Sequence, residues 1–376
     1  MKSVVIFQYR LLHYRTKLFE QLRAACADRG INLHLVHGQA SRRELAKKDE
    51  GSLSWAHKVL NKFWEVSGRD IVWQPYPSAL KKADLVVVMQ ENRILSNYPL
   101  LLSRIWSRRK LAYWGHGKNF QSDRPTGLRE KWKDYLLSRV DWWFAYTETT
   151  VDILKQANYP STQITCLDNA IDNDGFVQDL ASISELRIQE LRQQIGANDQ
   201  SRISLFCGSL YADKRLAFMI AAADQIHAVC PEFCLVVIGD GPSAAEVQLA
   251  AASRPWMHSV GVRKGAEKAA YFRIADVVFN PGAVGLHVLD AFCAGIPMAT
   301  TLEARHGPEF AYLIDGQNGV CTSGSADNYA RAIVALFSDP EAYGRLCLGA
   351  KASAQRYTLT NMVNRFADGI ENALHS

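Results

Sequence analysis

Apolar residues recur along this chain in short continuous runs, each followed by a stretch whose apolar positions fall three and four apart. The runs predict strands buried in a parallel sheet, and the wider spacing predicts amphipathic helices. In the first half the pattern predicts strands over 3–8, 31–37, 85–89, 111–115, 143–146 and 164–167. Helices are expected over 16–28, 99–108 and 147–156, with 41–62 a charged, irregular surface excursion. A charged helix over 183–195 ends at Gly196, and the alternation then restarts. Further strands are expected over 203–207, 235–238, near Val260, over 276–279 and over 298–301. Helices are expected to open near 208–215, and over 243–253, 266–274 and 362–374. Two such series in tandem predict an α/β protein of two facing, Rossmann-like, doubly wound domains with a cleft between them. The boundaries read as 1–175, a linker over 176–200, 201–355, and a last helical segment over 356–376.

One stretch carries the densest candidate chemistry, NPGAVGLHVLDAFCAGIP at 280–297. Gly282 and Gly285 let backbone approach a ligand at the start of a helix, where free N–H groups and the helix dipole favour an anion. Val284, Gly285 and Leu286 are therefore candidates to cradle a phosphate, with His287 and Asp290 on the helix face opposite Leu289 and Phe292. The competing reading is an ordinary strand–helix corner whose glycines only make a tight turn. In the first half, His116 stands between Gly115 and Gly117 at the end of a strand, the place where open α/β sheets bind ligands. A lone histidine is otherwise most often structural.

Composition narrows the partners. The net charge of +5 hides 26 basic and 14 acidic residues over 1–150, where eight of the nine tryptophans also lie. That half suits an anionic partner, with a solvated basic face around core tryptophans as the alternative. Arg108, Arg109 and Lys110, with Trp106 nearby, mark a surface for anionic lipid. No nucleic-acid module is recognisable, so nucleic acid is not an expected partner. Eight cysteines are scattered without a CxxC pair, as expected in a reducing cytoplasm and without a zinc site. The start runs into a strand pattern rather than a signal peptide, and no run of 18 apolar residues occurs. No GxGxxG follows the first strand, which argues against a nicotinamide-dependent dehydrogenase.

Several segments in order resemble the family 4 retaining glycosyltransferases of the GT-B fold. They are GSLYADKR at 208–215, VVIGDGP at 236–242, the 280–297 stretch and HGPEFAYLIDGQNGV at 306–320. YRTKLFEQL, YWGHGKN, AYT and DNAID in the first half resemble one branch of that family. The resemblance implies that Gly208 and Lys214 meet the diphosphate of a nucleotide sugar, and that Asp290 binds the ribose. It implies donor contacts at Val284, Gly285, Leu286 and His287, and acceptor-side roles for Tyr14, Arg15 and Asn119. His116 and Lys214 would act on the transition state, and the last helix would cross back to the first domain.

Two positions depart from the family. Ser209 stands where an arginine usually shares the diphosphate, with Arg215 as the candidate substitute. Gly282 stands where a glutamate usually holds the donor sugar, with Glu309 as the candidate substitute. The resemblance implies a metal-independent hexosyltransferase that needs no cofactor beyond its nucleotide-sugar co-substrate. The acceptor would be a glycan or lipid-linked molecule of bacterial surface polysaccharide synthesis, and the enzyme cytoplasmic or peripheral on the inner membrane face. The alternatives are a sugar phosphorylase, a nucleotide-sugar epimerase, or a nucleotide-sugar-binding protein that has lost turnover.

Overall fold

The structure, a computed structural model, describes residues 1–45, 49–66, 68–117 and 137–376. The chain divides into two units, Met1–Ile171 with Leu359–Ser376, and Asp172–Thr358. The first opens with β1 (Lys2–Arg10), α1 (Thr16–Asp28), β2 (Ile31–Gly38) and β3 (His57–Lys58). A two-stranded hairpin of β4 (Lys62–Val66) and β5 (Arg69–Trp73) follows. Then come β6 (Leu85–Met89), α2 (Asn97–Ser103), β7 (Lys110–Gly115), β8 (Trp142–Ala145), α3 (Glu148–Gln156) and β9 (Ile164–Cys166). The main sheet runs β3-β2-β1-β6-β7-β8-β9, and every pairing in it is parallel. β1 lies inside the sheet between β2 and β6, and Val4, Val5 and Ile6 form an unbroken apolar run with no exposure, as expected of a strand covered on both faces.

The second unit begins with the stretch read as a linker. Residues 176–200 lie largely within α4 (Asp174–Ser182) and α5 (Glu185–Gln194), the second being the charged helix expected over 183–195, and Phe176, Leu180 and Leu191 are buried. Its sheet uses β10 (Arg202–Cys207), β11 (Phe233–Ile238), β12 (Met257–Gly261), β13 (Val277–Phe279), β14 (Met298–Thr301) and β15 (Gly319–Thr322). The order is β12-β11-β10-β13-β14-β15, again parallel. The helices between the strands are α6 (Leu216–Val229), α7 (Ala244–Ala252), α8 (Gly265–Ile274) and α9 (His287–Ala294). α10 (Ala326–Ser338) and α11 (Pro340–Arg356) close the unit, each capped by a side chain, Ser325 and Asp339.

The chain then returns to the first unit as α12 (Leu359–His375), which packs on α1, β8 and β9. Its buried stripe of Met362, Phe366 and Ile370 is the amphipathic spacing of a core-facing helix. Phe366 meets Trp114 edge-on at 5.0 Å and Phe144 at 4.5 Å between ring centroids. Truncating a buried phenylalanine of this kind costs about 3–5 kcal/mol. Among the described residues no helix is long and apolar enough to cross a membrane.

Candidate active site

In the second unit the site forms at the carboxyl ends of β10, β13 and β14. Gly208 follows β10, and the turn at Gly239 packs against it so closely that a β-carbon on Gly239 would stand 1.9 Å from the Gly208 carbonyl oxygen. The chain next makes a short 3₁₀ turn, Ala212–Lys214, and leaves it through Arg215 in the left-handed region at φ 53°. A non-glycine residue there is uncommon and is held only where its surroundings insist on it. Ser209 is exposed, and Arg215 donates to Thr301 Oγ1 at 2.5 Å with its guanidinium 4.1 Å from the Phe218 ring centre.

Lys214 is buried, with Nζ donating to the Ala283 carbonyl at 2.5 Å, and it lies beside Gly208. The Ala283 N–H returns a bond to the Asp213 carbonyl at 2.9 Å, so the 3₁₀ turn and the 280–283 loop are laced together. Asn280 Nδ2 donates to the carbonyls of Gly282 and Ala283, and Thr301 Oγ1 donates to that of Pro281 at 2.7 Å. Burial lowers the Lys214 pKa to about 8, against the opposing pull of Cys207 and Asp213. Gly282 lies under this lacing. A β-carbon there would meet the backbone of Asp213 and Lys214, so a glutamate at this position would have to push the two loops apart.

α9 starts at His287, three residues later than the cradle expected at Val284. The Val284 N–H is already taken, donating to His306 Nδ1 at 3.2 Å, while the Val284 carbonyl accepts from Gly307 at 2.9 Å. Because His306 Nδ1 accepts, its proton sits on Nε2 and is given to the Thr301 carbonyl at 2.7 Å. Burial keeps this imidazole below its ordinary pKa, and its ring stacks on Phe310 at 3.9 Å. His306 had no role in the sequence reading, because its partners lie 5 and 22 positions away in the chain. Gly285 and Leu286 remain at the mouth of α9, with Leu286 at the N-cap position.

His287 Nε2 is buried without a hydrogen-bond partner. Burial, then Lys214, then Lys268 hold that ring neutral, well below its usual pKa. Asp290 is buried and pairs with Lys268 of α8 at 3.0 Å, a partner the sequence did not point to. Glu309 is buried in the 3₁₀ turn Pro308–Tyr312, next to Gly307. The second unit therefore gathers Lys214, Arg215, Gly282, Val284, His287, Asp290 and His306 around linked loops at one sheet edge.

In the first unit, His116 follows β7 and lies against Tyr146, ring centres 4.0 Å apart. Burial, aided by Arg15, lowers its pKa to about 4, and its Nδ1 is buried without a partner. Arg15 is buried, donates to Tyr146 Oη at 2.9 Å and Asn169 Oδ1 at 3.5 Å, and lies 4.7 Å over Trp114. Tyr14 is half-buried in the same 3₁₀ turn, His13–Arg15. Asn119 lies outside the described residues. Glu148, Cys166 and Asp168 bring three metal-type ligand atoms within 4.8 Å of one another, but Asp168 is ion-paired to Arg365 at 2.9 Å.

Glycine-bearing turns and helix starts at the carboxyl edge of a parallel sheet are the build of a nucleotide-binding α/β unit. Two such units are the parts of the GT-B glycosyltransferase fold, which this chain has. Residues 201–339 match the family described as Glycosyl transferases group 1. The chain is 23% identical over 184 residues to the Acholeplasma laidlawii alpha-monoglucosyldiacylglycerol synthase, a match spanning 47% of this chain and 45% of that protein. Anabaena HepE, solved in complex with UDP, has a TM-score of 0.68 at 16% identity, covering 99% of this chain and 100% of that one. A glycosyltransferase from Rickettsia africae gives 0.70 at 13% identity, covering 99% and 98%.

Proposed function

We propose that this chain is a retaining, metal-independent glycosyltransferase of family 4 type that moves a hexose from a nucleotide sugar to a glycan or lipid-linked acceptor. The observation that carries the reading is Lys214, a buried ammonium pinned between Gly208 and the Ala283 carbonyl, 2.5 Å away, beside the start of α9. A nucleoside diphosphate leaving group gains negative charge as the glycosidic bond breaks. A preorganised ammonium and the N–H groups of Gly285 and Leu286 stabilise that charge. Lys214 keeps two further N–H donors for a phosphate. Asp290 takes the ribose hydroxyls, with Arg215 and Glu309 standing in for the family's missing side chains. In the first unit, His116 acts as a neutral hydrogen-bonding group toward sugar, while Tyr14 and Arg15 shape the acceptor side.

The UDP in the Anabaena structure and the glycolipid made by the Acholeplasma enzyme support a uridine nucleotide donor and a lipid-linked acceptor. Surface polysaccharide synthesis at the inner membrane face is the setting we favour. Peripheral attachment is supported by a groove of about 360 Å³ lined by Lys2, Lys81, Lys82, Arg108, Arg109 and Lys110. Ile105 and Trp106 are exposed on the turn just before it. The decisive experiment is a melting-temperature screen of nucleoside diphosphates and nucleotide sugars, followed by acceptor-dependent release of the nucleotide in the presence of EDTA. A ligand bound only by the folded state raises the melting temperature. Phosphorolysis with no nucleotide requirement would overturn the reading, as would the absence of any nucleotide-induced shift.

A further inference from the structure

Lys268 lies outside every motif that suggested the site, near the start of α8, where a lysine reads as solvated surface. The fold gives it another setting. Its Nζ is 3.0 Å from Asp290 Oδ2, and the same ammonium sits 4.4 Å over the Phe176 ring and 5.9 Å over Phe272. The lysine is thus clamped between an aromatic face and a carboxylate, each with its own preferred geometry. Asp290 is itself buried, so its carboxylate would be costly if unpaired. The ion pair occupies Oδ2 and leaves Oδ1 free to accept from a ligand.

We propose that Lys268 is the positioning residue of the donor site, holding Asp290 ionised and turned to accept hydrogen bonds from the ribose of a nucleoside diphosphate. This rests on the reading of the second unit as the nucleotide-binding one. α9 packs against α4, α8 and α11. Among the charged and titratable groups these elements turn toward α9 are Asp174 from α4, Lys268 from α8 and Lys351 from α11, the last set against Gly295 at the far end of α9, and Tyr357 just past α11 stacks on Phe292. Cys207 and Lys214 face it from β10 and the turn beyond, and His287 and Cys293 share its helix. Of all these, Lys268 is the group that counters burial at Asp290. Burial leaves the carboxyl above its ordinary value, and the charge and hydrogen bond of Lys268 oppose that rise. Lys268 does not itself touch the nucleotide in this scheme.

The test uses the whole chain and calorimetry at pH 6 and pH 8. The probes are whichever of UDP, GDP, ADP and CDP binds best, and its 2′,3′-dideoxy counterpart. Wild type should prefer the ribose form at both pH values. Lys268→Met should weaken binding of the ribose form several-fold at pH 6, where the buried carboxyl left without its partner takes up a proton, and by less at pH 8. Binding of the dideoxy form should hardly change. Lys268→Arg should restore both the affinity and the flat pH profile. Lys268→Met binding the ribose form like wild type at both pH values would overturn the proposal while leaving the nucleotide site intact. If Lys268→Met does not fold, Lys268→Gln, which can still donate to Asp290 but carries no charge, carries the test. Ribose binding weaker at pH 6 than at pH 8 in it supports the proposal, and wild-type binding at both pH values overturns it. Wild type ignoring all four nucleotides would overturn the nucleotide reading, and this inference with it.

Discussion

A β-carbon on Gly282 would stand 2.4 Å from both the Cα and the carbonyl carbon of Lys214. The glycine and the lysine are thus parts of one device. The loop carrying Gly282 lies flat on the turn carrying Lys214, and Lys214 reaches across to bond the next carbonyl, that of Ala283. A glutamate at this position would have to displace the contact that places the lysine.

Restoring that glutamate should therefore harm the protein. Gly282→Ala is expected to cost about 1–3 kcal/mol through overpacking, and Gly282→Glu more. Both should weaken nucleotide binding, because Lys214 moves with the loop. Urea unfolding and nucleotide calorimetry check this. A Gly282→Glu variant with wild-type stability and faster turnover would count against it.

Lys214→Ala should weaken binding of a nucleoside diphosphate by roughly 1.5–3 kcal/mol, the worth of a hydrogen bond to a charged group. The pH dependence has a definite sign. Lys214 loses its proton near pH 8, and the diphosphate needs the charged form, so affinity should fall between pH 7 and pH 9. Lys214→Arg stays charged throughout and should give a flatter profile over that range. An unchanged wild-type affinity across the range would remove Lys214 from the phosphate site.

His116→Ala is expected to lower turnover far more than nucleotide affinity, since its assigned contact is to sugar. With a pKa near 4, His116 stays neutral at any working pH and should add no acid limb to the rate near pH 6.5. Initial rates and nucleotide affinities measured side by side decide the matter, equal losses in both being the adverse result.

Acid should destabilise the fold through its buried imidazoles. His116, His287 and His306 all have folded pKa values below the ordinary 6.5. Below that value the unfolded chain binds protons that the folded chain refuses, so stability is retained above about pH 6.5 and declines as pH falls. Melting temperatures at pH 7.5 and pH 5 test this. His306→Gln should shrink the difference even while lowering stability at neutral pH, because its ring ties Val284 to Thr301.

The basic groove of the first unit should bind vesicles of anionic lipid at low salt and release them as salt rises. Exposed charges are screened over about 8 Å at physiological ionic strength. Sedimentation with neutral and anionic vesicles checks it, and Arg108→Ser/Arg109→Ser/Lys110→Ser should abolish the difference. This groove gathers the amino ends of β1 and β7, whereas His116 follows the carboxyl end of β7, a strand of roughly 20 Å. A wild type indifferent to anionic vesicles at low salt would leave the groove as solvated surface.

Elements whose ends carry their own punctuation could be read from the sequence. α1, β6 and β14 fall on the expected residues, the first ending just before Gly30 and the last starting just after Pro297. α2 was less legible. Expected over 99–108, it ends at Ser103, and the apolar Ile105 and Trp106 that extended the pattern lie on the surface. α10 and α11 fell outside the reading although Ser325, Asp339 and Pro340 are ordinary start signals. In the candidate site, Lys214 and Asp290 stand out in the sequence through the family resemblance. His306 and Lys268 do not, since each gains its role from a partner brought near only by the sheet.

The passage of α12 back onto β8 and β9 sets a schedule for making the molecule. The second unit is one unbroken length of chain, so a ribosome can release it whole while the first still lacks its closing helix. Until Phe366 emerges, the faces of Trp114 and Phe144 that it covers stay open, an apolar surface that a chaperone can meet. A premature stop within α12 would therefore damage the unit whose other elements precede the second unit in the chain.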